Sequence, residues 1–532
     1  MRPSLKLRLV ALVVGVTLFG VSPEAQAEPG FLTSTPAMLS PLAPGATVTP
    51  IISVGDTVRG YMFEAIPDGI SFTTTGSGTV DVYVNHETSL VPFPATRSDF
   101  TSALLSRLRL SQHSTGVLRG DYVIPSTGNY QRFCSNFLNG PEQGFERDLV
   151  LTNEEARDIV LRTGDAWHPP SVALTEPSAE QAGVVVAYDV KSREFRSIYG
   201  MGRHNHENSV GVPGFGHPVV LSGDDTFDAP ASQLFLYSAE SGSAVWNDEG
   251  KLYAFVSDVP AINDYGDVTV GASVPGHFIE VPLMIATGKK PDGTDVTAAD
   301  FGYPAPPSSA IPNGPQWVLE HWSNVNNVFQ FIRVEDIAYD RNTPNVVYLA
   351  DTGEPRAIPD PTTTRLRRGP SGTMGPYPNG RIFKLVLDPS DPLEVLSLSI
   401  LIDGDAGGYG NPAALHQPDN LETTANSLLI QEDPGSHNQG TAIGYAKIWR
   451  YTLPAGPLVV VAQVDQSQRP GSTPGSWESS GIVDASAAFG EGAFLVDIQA
   501  HGFEIESAPS PFPGITYMRE AGQLLLFRLP GA

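Results

Sequence analysis

Six segments of the chain alternate aliphatic and aromatic residues with a period close to two, a pattern typical of β-strands. They are GVVVAYDV from Gly183, SQLFLYSA from Ser232, GKLYAFVS from Gly250, GRIFKLVL from Gly380, AKIWRYTL from Ala446 and GQLLLFRL from Gly522. Their spacing along the chain is irregular, so they do not form a clean sequence repeat. Short strands with long insertions predict an all-β fold, and a β-propeller suits them because its loops gather around a central channel. A pair of β-sandwiches is the alternative.

The composition agrees with an all-β chain. It has 53 glycines and 47 prolines, and only 17% of its residues are charged. This mixture supplies tight turns and argues against a helical bundle. We expect only a few short helices, from Asn153 to Arg157 and from Ser102 to Leu110. No segment reads as a linker, so residues 28–532 are predicted to form one domain.

The first 27 residues have the layout of a secretory signal peptide. Basic Arg2, Lys6 and Arg8 precede an apolar run over residues 9–21, and a small-residue pattern ends at Ala27. No other stretch reaches the roughly 18 apolar residues that a spanning helix needs. We therefore expect cleavage near Ala27, a periplasmic or extracellular location, and no membrane anchor.

The formal net charge of −26 disfavours a polyanionic partner such as nucleic acid. An acidic surface would account for this charge. The alternative is that carboxylates converge on divalent cations, which take hard oxygen ligands.

Cys134 is the single cysteine, so it cannot form a disulfide within the chain. It is predicted to be either a small buried apolar residue or a metal thiolate.

Short acidic motifs recur where strands are predicted to end. They are NHE (85–87), TNEE (152–155), GRHNHEN (202–208), SGDD (222–225), RVED (333–336), QPDN (417–420) and QED (431–433). Each motif alone is weak evidence for a metal ligand, because Asp and Glu commonly cap turns. Together they predict carboxylates that share cations, with Glu155 and Asp224 among the ligands and Ca²⁺ as the natural occupant.

Longer stretches around these motifs resemble the PhoX-type alkaline phosphatases over most of the chain after residue 27, and in the same order. The matching stretches are VYVNHET (82–88), RFCSNF (132–137), LVLTNEEA (149–156), GMGRHNHENSVGVPG (200–214), VVLSGDDTF (219–227), FIRVEDIAYD (331–340), HQPDNLETTANSLLIQED (416–433) and FLVDIQAHG (494–502).

The resemblance implies a six-bladed propeller whose loops hold calcium and iron ions and cleave phosphate esters. It also implies roles for individual residues. Glu335 would bridge metals and Arg333 would clamp phosphate, and the further acidic ligands would be Glu87, Glu207, Asp419 and Asp433. A guanidinium fork suits phosphate oxygens, although an ion pair of Arg333 with Glu335 or Asp336 fits the spacing equally well.

Asn153 departs from the family pattern, in which a cysteine at this position holds iron. An amide cannot supply a soft anionic ligand. The sequence therefore favours a calcium site over one that contains Fe³⁺.

His206 directly precedes Glu207 and is the histidine best placed to act as a ligand or general base. A hydrogen-bonded structural histidine is the alternative for His206 and for its neighbour His204.

The sequence thus predicts a secreted metal-dependent phosphoesterase that acts on a small phosphorylated substrate. A calcium-stabilised binding propeller without catalysis is the second prediction. A calcium-dependent lactonase or phosphotriesterase is a third, by analogy of fold alone.

Overall fold

The computed structural model describes residues 29–88, 90–93, 103–162, 178–226, 229–510 and 513–532. The predicted signal peptide lies outside the described residues.

The strands, in chain order, are β1 Leu39–Pro41, β2 Thr47–Ser53, β3 Thr57–Val58, β4 Tyr61–Met62, β5 Pro67–Thr74, β6 Thr79–His86, β7 Val91–Phe93, β8 Leu104–Ser111, β9 Val117–Ile124, β10 Phe133–Asn139, β11 Leu149–Glu154, β12 Ile159–Leu161, β13 Ala179–Gln181, β14 Val185–Asp189, β15 Phe195–Ile198, β16 His206–Gly211, β17 Val219–Asp224, β18 Leu234–Ser238, β19 Lys251–Ser257, β20 Val274–Glu280, β21 Val334–Tyr339, β22 Val346–Asp351, β23 Ala357–Pro359, β24 Leu366–Arg368, β25 Arg381–Asp388, β26 Asp391–Asp403, β27 Pro418–Thr423, β28 Ser427–Glu432, β29 Lys447–Thr452, β30 Leu458–Val464, β31 Glu478–Asp484, β32 Ala493–Pro509 and β33 Thr516–Arg528. The α-helices are α1 Gly242–Trp246, α2 Leu283–Ala286, α3 Pro315–Val325, α4 Gly440–Ile443 and α5 Ser486–Phe489.

Most strands belong to six antiparallel blades around a central channel. In chain order, blades 1 to 6 are β5-β6-β8-β9, β10-β11-β14-β15, β16-β17-β18-β19, β21-β22-β25-β26, β27-β28-β29-β30 and β31-β32-β33-β2. Blades 3 and 4 also join at their outer edges through β20. The first strand of each blade contacts the first strands of its two neighbours, so the described strands close a ring. The predicted six-bladed propeller is confirmed.

The two ends of the chain meet in the last blades. Strand β2 pairs with β33 and completes blade 6, whereas β1 pairs with β30 at the edge of blade 5. Blade 6 is thus built from both ends of the described chain, which ties its first strands to its last ones.

A hydrophobic cluster fills the space between each pair of neighbouring blades. Successive side chains of strand β28 belong to two different clusters, one on each face of blade 5. Leu428 and Ile430 pack towards blade 4, and Leu429 packs towards blade 6. Successive side chains of a strand point to opposite faces, so a blade buried on both faces needs apolar residues in a continuous run.

All six predicted segments are strands: they lie in β14, β18, β19, β25, β29 and β33. The two predicted helices are wrong. The first falls at the end of β11 and in the irregular residues after it, and the second falls on β8. Strand β8 pairs on both sides, and its Arg107 and Arg109 form ion pairs with Asp121 and Asp81 across the sheet. Cross-strand pairing thus outweighed the local preference of leucine and arginine for helix.

Within the part of the chain that the structure describes, no helix is both long and apolar enough to cross a membrane.

Candidate metal centre

A β-bulge near the start of the inner strand is repeated in blades 1 to 5. The register shifts directly after Pro67, Phe133, His206, Val334 and Pro418. A bulge inserts one unpaired residue and turns its side chain out of the regular alternation. The residues that follow those five positions are Asp68, Cys134, Glu207, Glu335 and Asp419, and all five line one cavity.

The second strand of each of these blades supplies the partner of the bulge residue. The residue just after that strand is Glu87, Glu155, Asp225 or Asp433 in blades 1, 2, 3 and 5, and each of these lines the same cavity. In blade 4 the equivalent residue is Thr352, whose hydroxyl donates to Glu335 Oε1 at 2.7 Å. Five blades thus bring polar pairs to one mouth of the channel.

In blades 2, 4 and 5, the acidic residue that ends the second strand binds backbone N–H groups instead of facing the cavity. Asp351 accepts backbone N–H groups of Ile332, Arg333 and Gly353. Glu154 and Glu432 are likewise bonded to backbone N–H groups of neighbouring loops. In an acidic doublet such as Glu154-Glu155, the first carboxylate therefore fixes the loops, and the second points into the cavity.

The cavity has a volume of about 500 Å³ and is strongly acidic. Two basic side chains, Arg132 and His501, stand among its lining residues. A third, Arg333, does not line the cavity but contacts Asp225 and Glu335, which do. The carboxyl groups in the lining number nine: Asp68, Glu87, Glu155, Glu207, Asp225, Glu335, Asp419, Asp433 and Glu478. Carboxylates that converge in this way repel one another unless cations lie between them.

Three groups of side chains have their ligand atoms close enough to share an ion. They are Cys134, Glu155 and Glu207; Glu207, Asp225 and Glu335; and Asp419, Asp433 and Glu478. Within each group all ligand atoms lie within 4.8 Å of one another. Glu207 belongs to two groups, so its carboxylate is placed to bridge two ions.

Two arginines, Arg132 in the cavity lining and Arg333 beside it, are held by these carboxylates. Arg333 forms a two-pronged contact with Asp225, lies 3.4 Å from Glu335 and donates to the hydroxyl of Ser436. Arg132 lies 3.7 Å from Glu87 and 3.8 Å from Glu155. Both guanidinium groups therefore stand beside the ligand groups, where an anionic substrate bound to the metals would meet them.

Burial and mutual repulsion disfavour the charged forms of the site carboxyls. The pKa of Glu207 is well above its usual range, first because of burial and then because of the charges on Glu155 and Glu335. Burial also raises the pKa of Glu335 well above normal, although the Arg333 guanidinium opposes this. The pKa of Asp68 rises to about 7, through burial and the charge of Glu87. A bound cation would reverse these shifts, so the donor set suits metal ions.

The structure brings together most of the residues predicted from the sequence. The predicted residues that line the cavity are Glu87, Glu155, Glu207, Glu335, Asp419 and Asp433. Arg333 does not line it but pairs with Asp225 and Glu335 of the lining. Asp224 does not line the cavity, because it ends β17 and its side chain lies beside His204, 3.7 Å from the imidazole Nδ1. His206 is fully buried, with its ring bonded to Ser222 and to the carbonyl of Gly202, and it does not line the cavity either.

Sequence reasoning missed Asp68, Asp225 and Glu478 as ligands, and Arg132 as the second cation. One signal was present for Asp225. Three of the strand-ending doublets, His86-Glu87, Glu154-Glu155 and Glu432-Asp433, present their second residue to the cavity. The same rule applied to Asp224-Asp225 selects Asp225.

Cys134 and Asn153 lie on the adjacent strands β10 and β11 of blade 2. Asn153 lies within the sheet, where its amide donates to the carbonyl of Ser135 at 2.9 Å and accepts the hydroxyl of Ser209 at 2.7 Å. Cys134 comes from the adjacent strand β10 and reaches Glu155 and Glu207. The cavity therefore has a thiol in its lining. Its S–H donates to Asp68 Oδ2 at 3.1 Å, and burial raises the pKa of the thiol well above its usual range.

Comparisons with known proteins give no close relative. No family model matches the chain, and no curated protein matches it. Among solved structures it is similar to a protein of unknown function from Dyadobacter fermentans, with 9% identity, a TM-score of 0.39 and coverage of 91% of this chain and 100% of that one. It is also similar to the NanB sialidase from Streptococcus pneumoniae, with 7% identity, a TM-score of 0.39 and coverage of 90% and 70%. Two prolyl endopeptidases are the subject of a further match, with 10% identity, a TM-score of 0.23 and coverage of 88% and 51%.

Proposed function

We propose that the protein is a secreted, metal-dependent phosphoesterase that hydrolyses small phosphate esters in the cavity at the mouth of the propeller. The observation that carries this proposal is that five successive blades each bring at least one carboxylate to the same cavity, beside the guanidinium of Arg333. Metal ions next to a guanidinium form a site that binds and polarises a phosphoryl group. The net charge of −26 argues against nucleic acid as the substrate.

The three ligand groups differ in chemistry and so in the metals they suit. Cys134, Glu155 and Glu207 combine a thiol with two carboxylates, a set that favours a transition metal such as iron. The other two groups offer carboxylates alone and suit Ca²⁺. When bound, such ions act as Lewis acids and lower the pKa of coordinated water, calcium less strongly than iron.

Protein side chains would then orient the ester. The guanidinium fork of Arg333 contacts Asp225 and Glu335 of the cavity lining, and a phosphate dianion would take over contacts that these two carboxylates now make. Ser436 holds the same guanidinium from the loop that follows β28. Glu335, bonded to Thr352, is fixed between Arg333 and the shared ligand Glu207.

The test is hydrolysis of an aryl phosphate at neutral and alkaline pH, with calcium and with or without iron. We expect turnover that is lost on chelation and falls at least about 100-fold in Glu335→Gln, because the substitution removes a charged ligand. Glu422→Gln is the matched control, since Glu422 pairs with Arg341 at the other mouth of the channel. Absence of turnover under every metal condition, or full activity in Glu335→Gln, would refute the proposal.

A calcium-stabilised binding propeller without catalysis is the second candidate. It is favoured by the pairing of Arg333, whose guanidinium already has carboxylate and hydroxyl partners. In that case calcium would raise thermal stability with no hydrolysis in any metal condition.

Export is part of the proposal and has its own test. N-terminal sequencing of protein recovered from the periplasm or medium should give a chain that begins near Glu28. Recovery of the intact amino terminus would contradict it.

A further inference from the structure

A second cavity lies at the other mouth of the channel. It has a volume of about 460 Å³, which is within the range of small-molecule binding sites. The β-bulges that carry the metal ligands also build its floor. The residue after each bulge ligand lines this cavity, and these residues are Gly69, Ser135, Asn208, Asp336 and Asn420. No described residue lines both cavities, so an occupant of the second would not be bound by the lining of the metal centre.

Apolar and aromatic side chains form much of the wall of this cavity, in contrast to the carboxylates of the central one. Phe72 and Phe137 line it and are only partly buried. The ring of Phe137 meets that of Tyr339 edge-on, with centroids 6.5 Å apart. The guanidinium of Arg341 lies 4.8 Å from the centroid of the Tyr339 ring and pairs with Glu422 at 2.8 Å. The single guanidinium of the described lining thus already has a carboxylate partner, and the wall suits the apolar body of an organic molecule.

Two buried oxygens of the lining have no hydrogen-bond partner within the described part of the chain. They are Ser71 Oγ and Asn136 Oδ1, and each of the two residues is 4% exposed. The amide nitrogen of Asn136 is fixed, since it donates to the carbonyl of Gly69 at 2.6 Å and to Asn85 Oδ1 at 3.1 Å. Ile70 packs towards blade 6, so the next side chain, that of Ser71, points towards blade 2, where Asn136 lies. Buried polar atoms rarely lack a partner, and both of these oxygens can accept a hydrogen bond from a bound molecule.

The lining of the second cavity carries a negative charge on both sides of these oxygens. Its described carboxyl groups outnumber its one guanidinium, and they belong to Glu142, Asp148, Asp336, Glu422 and Asp484. Glu142 and Asp148 lie in blade 2 and Asp484 in blade 6, whereas blade 1 between them contributes no charged residue to the described lining. None of these three carboxylates forms an ion pair with a described residue, and Asp484 meets the charge of Arg341 only at longer range. The cavity therefore attracts cations.

From these observations we propose that the second cavity binds a small organic cation, a protonated primary amine with an aromatic or cyclic apolar body. The ammonium would donate to Ser71 Oγ and Asn136 Oδ1, in the field of the carboxylates of blades 2 and 6. The body would pack against Phe72 and Phe137, whose rings also attract a cation that lies over their faces. An ammonium has three donors and no acceptor, which matches two oxygens that lack donors.

Other classes of ligand fit this lining less well. An anion would meet an excess of carboxylates, because the one described guanidinium is paired. A sugar could donate to both oxygens, but it would leave the negative charge uncompensated and cover the apolar wall with hydroxyl groups. A metal ion is not indicated, because the described side chains that are close enough together to share one all line the central cavity. The proposal does not depend on phosphoesterase activity, since it uses no residue that lines the metal centre.

The test is isothermal titration calorimetry with phenethylamine as the probe, on the full chain in calcium so that cations compete for the central carboxylates. Phenethyl alcohol has the same shape without the charge and should bind at least about 10-fold more weakly. Ser71→Ala should weaken amine binding about 10-fold, because the hydroxyl oxygen accepts from a charged donor. This variant should fold, since Ser71 Oγ has no partner among the described residues. Asp484→Asn should weaken binding about 3-fold through the loss of one charge at the cavity.

Asp388→Asn is the matched control for Asp484→Asn. The carboxylate of Asp484 accepts the backbone N–H of Ser486 at 2.9 Å. Asp388 accepts that of Ser390 at 2.8 Å in the same way, but it does not line the cavity. Its substitution should therefore leave amine binding unchanged.

Three results would overturn the proposal. The first is the absence of amine binding at millimolar concentration, or equal binding of phenethylamine and phenethyl alcohol. The second is an unchanged amine affinity in Ser71→Ala and Asp484→Asn. The third is a loss of binding in Glu478→Gln, which would place the amine among the carboxylates of the central cavity.

Discussion

The position of Glu207 in two of the three ligand groups of the central site gives a graded prediction. Glu207→Gln should remove twice as much of the metal-dependent stability as Glu478→Gln, because Glu478 belongs to one group only. The measure is the difference in melting temperature between metal-loaded and chelated protein. Using this difference removes the effect that each substitution has on carboxylate repulsion in the metal-free state.

The magnitude follows from linkage. An ion present at 100 times its dissociation constant stabilises the folded state by about 2.7 kcal/mol, so three groups contribute about 8 kcal/mol. For a chain of 532 residues, an unfolding entropy of about 2.1 cal/mol/K per residue gives about 1.1 kcal/mol per degree. The wild-type protein should therefore gain about 7 °C on loading. Glu478→Gln should keep about 5 °C of this gain and Glu207→Gln about 2.5 °C.

The assay is differential scanning calorimetry with calcium and iron at matched multiples of their dissociation constants. Glu422→Gln, at the far mouth of the channel, should keep the full gain. Equal losses in Glu207→Gln and Glu478→Gln would refute the shared role of Glu207. Absence of any gain in the wild-type protein would refute metal binding at these groups altogether.

Three further predictions test single residues. Arg333→Lys should weaken inhibition by inorganic phosphate about 10- to 100-fold, because an ammonium cannot reproduce the two-pronged contact; unchanged inhibition would count against a phosphate contact. Cys134→Ser should abolish iron binding while calcium remains, and adding Asn153→Cys should not restore iron, because the Asn153 side chain is bonded within the sheet; restored iron would show that the thiol can act from either strand. Burial raises the pKa of Asp405 from 3.8 to about 6. The free energy of unfolding should therefore fall by about 2 kcal/mol as pH rises from 4 to 6, and Asp405→Asn should flatten this part of the pH profile in urea titrations.

The sequence predicts some of the residues that line the cavity and misses others. Glu87, Glu155 and Asp433 sit in motifs that end strands, where a carboxylate has no packing role, and so they were recognisable as ligands. The sequence does not distinguish Asp224 from Asp225, because adjacent acidic residues look alike in a sequence. Their roles separate only when β17 has a register against β16, which fixes which side chain points to the channel.

The sequence by itself determined that this chain builds many short strands, and that acidic residues recur where those strands end. Alternation with a period of two and abundant glycine and proline are local properties, and local properties can be read along a chain. Tertiary structure decided which acids meet. A bulge at the same place in five inner strands turns Asp68, Cys134, Glu207, Glu335 and Asp419 towards one axis. Ring closure brings these residues together although more than 350 positions separate the first from the last, and no local pattern encodes that convergence.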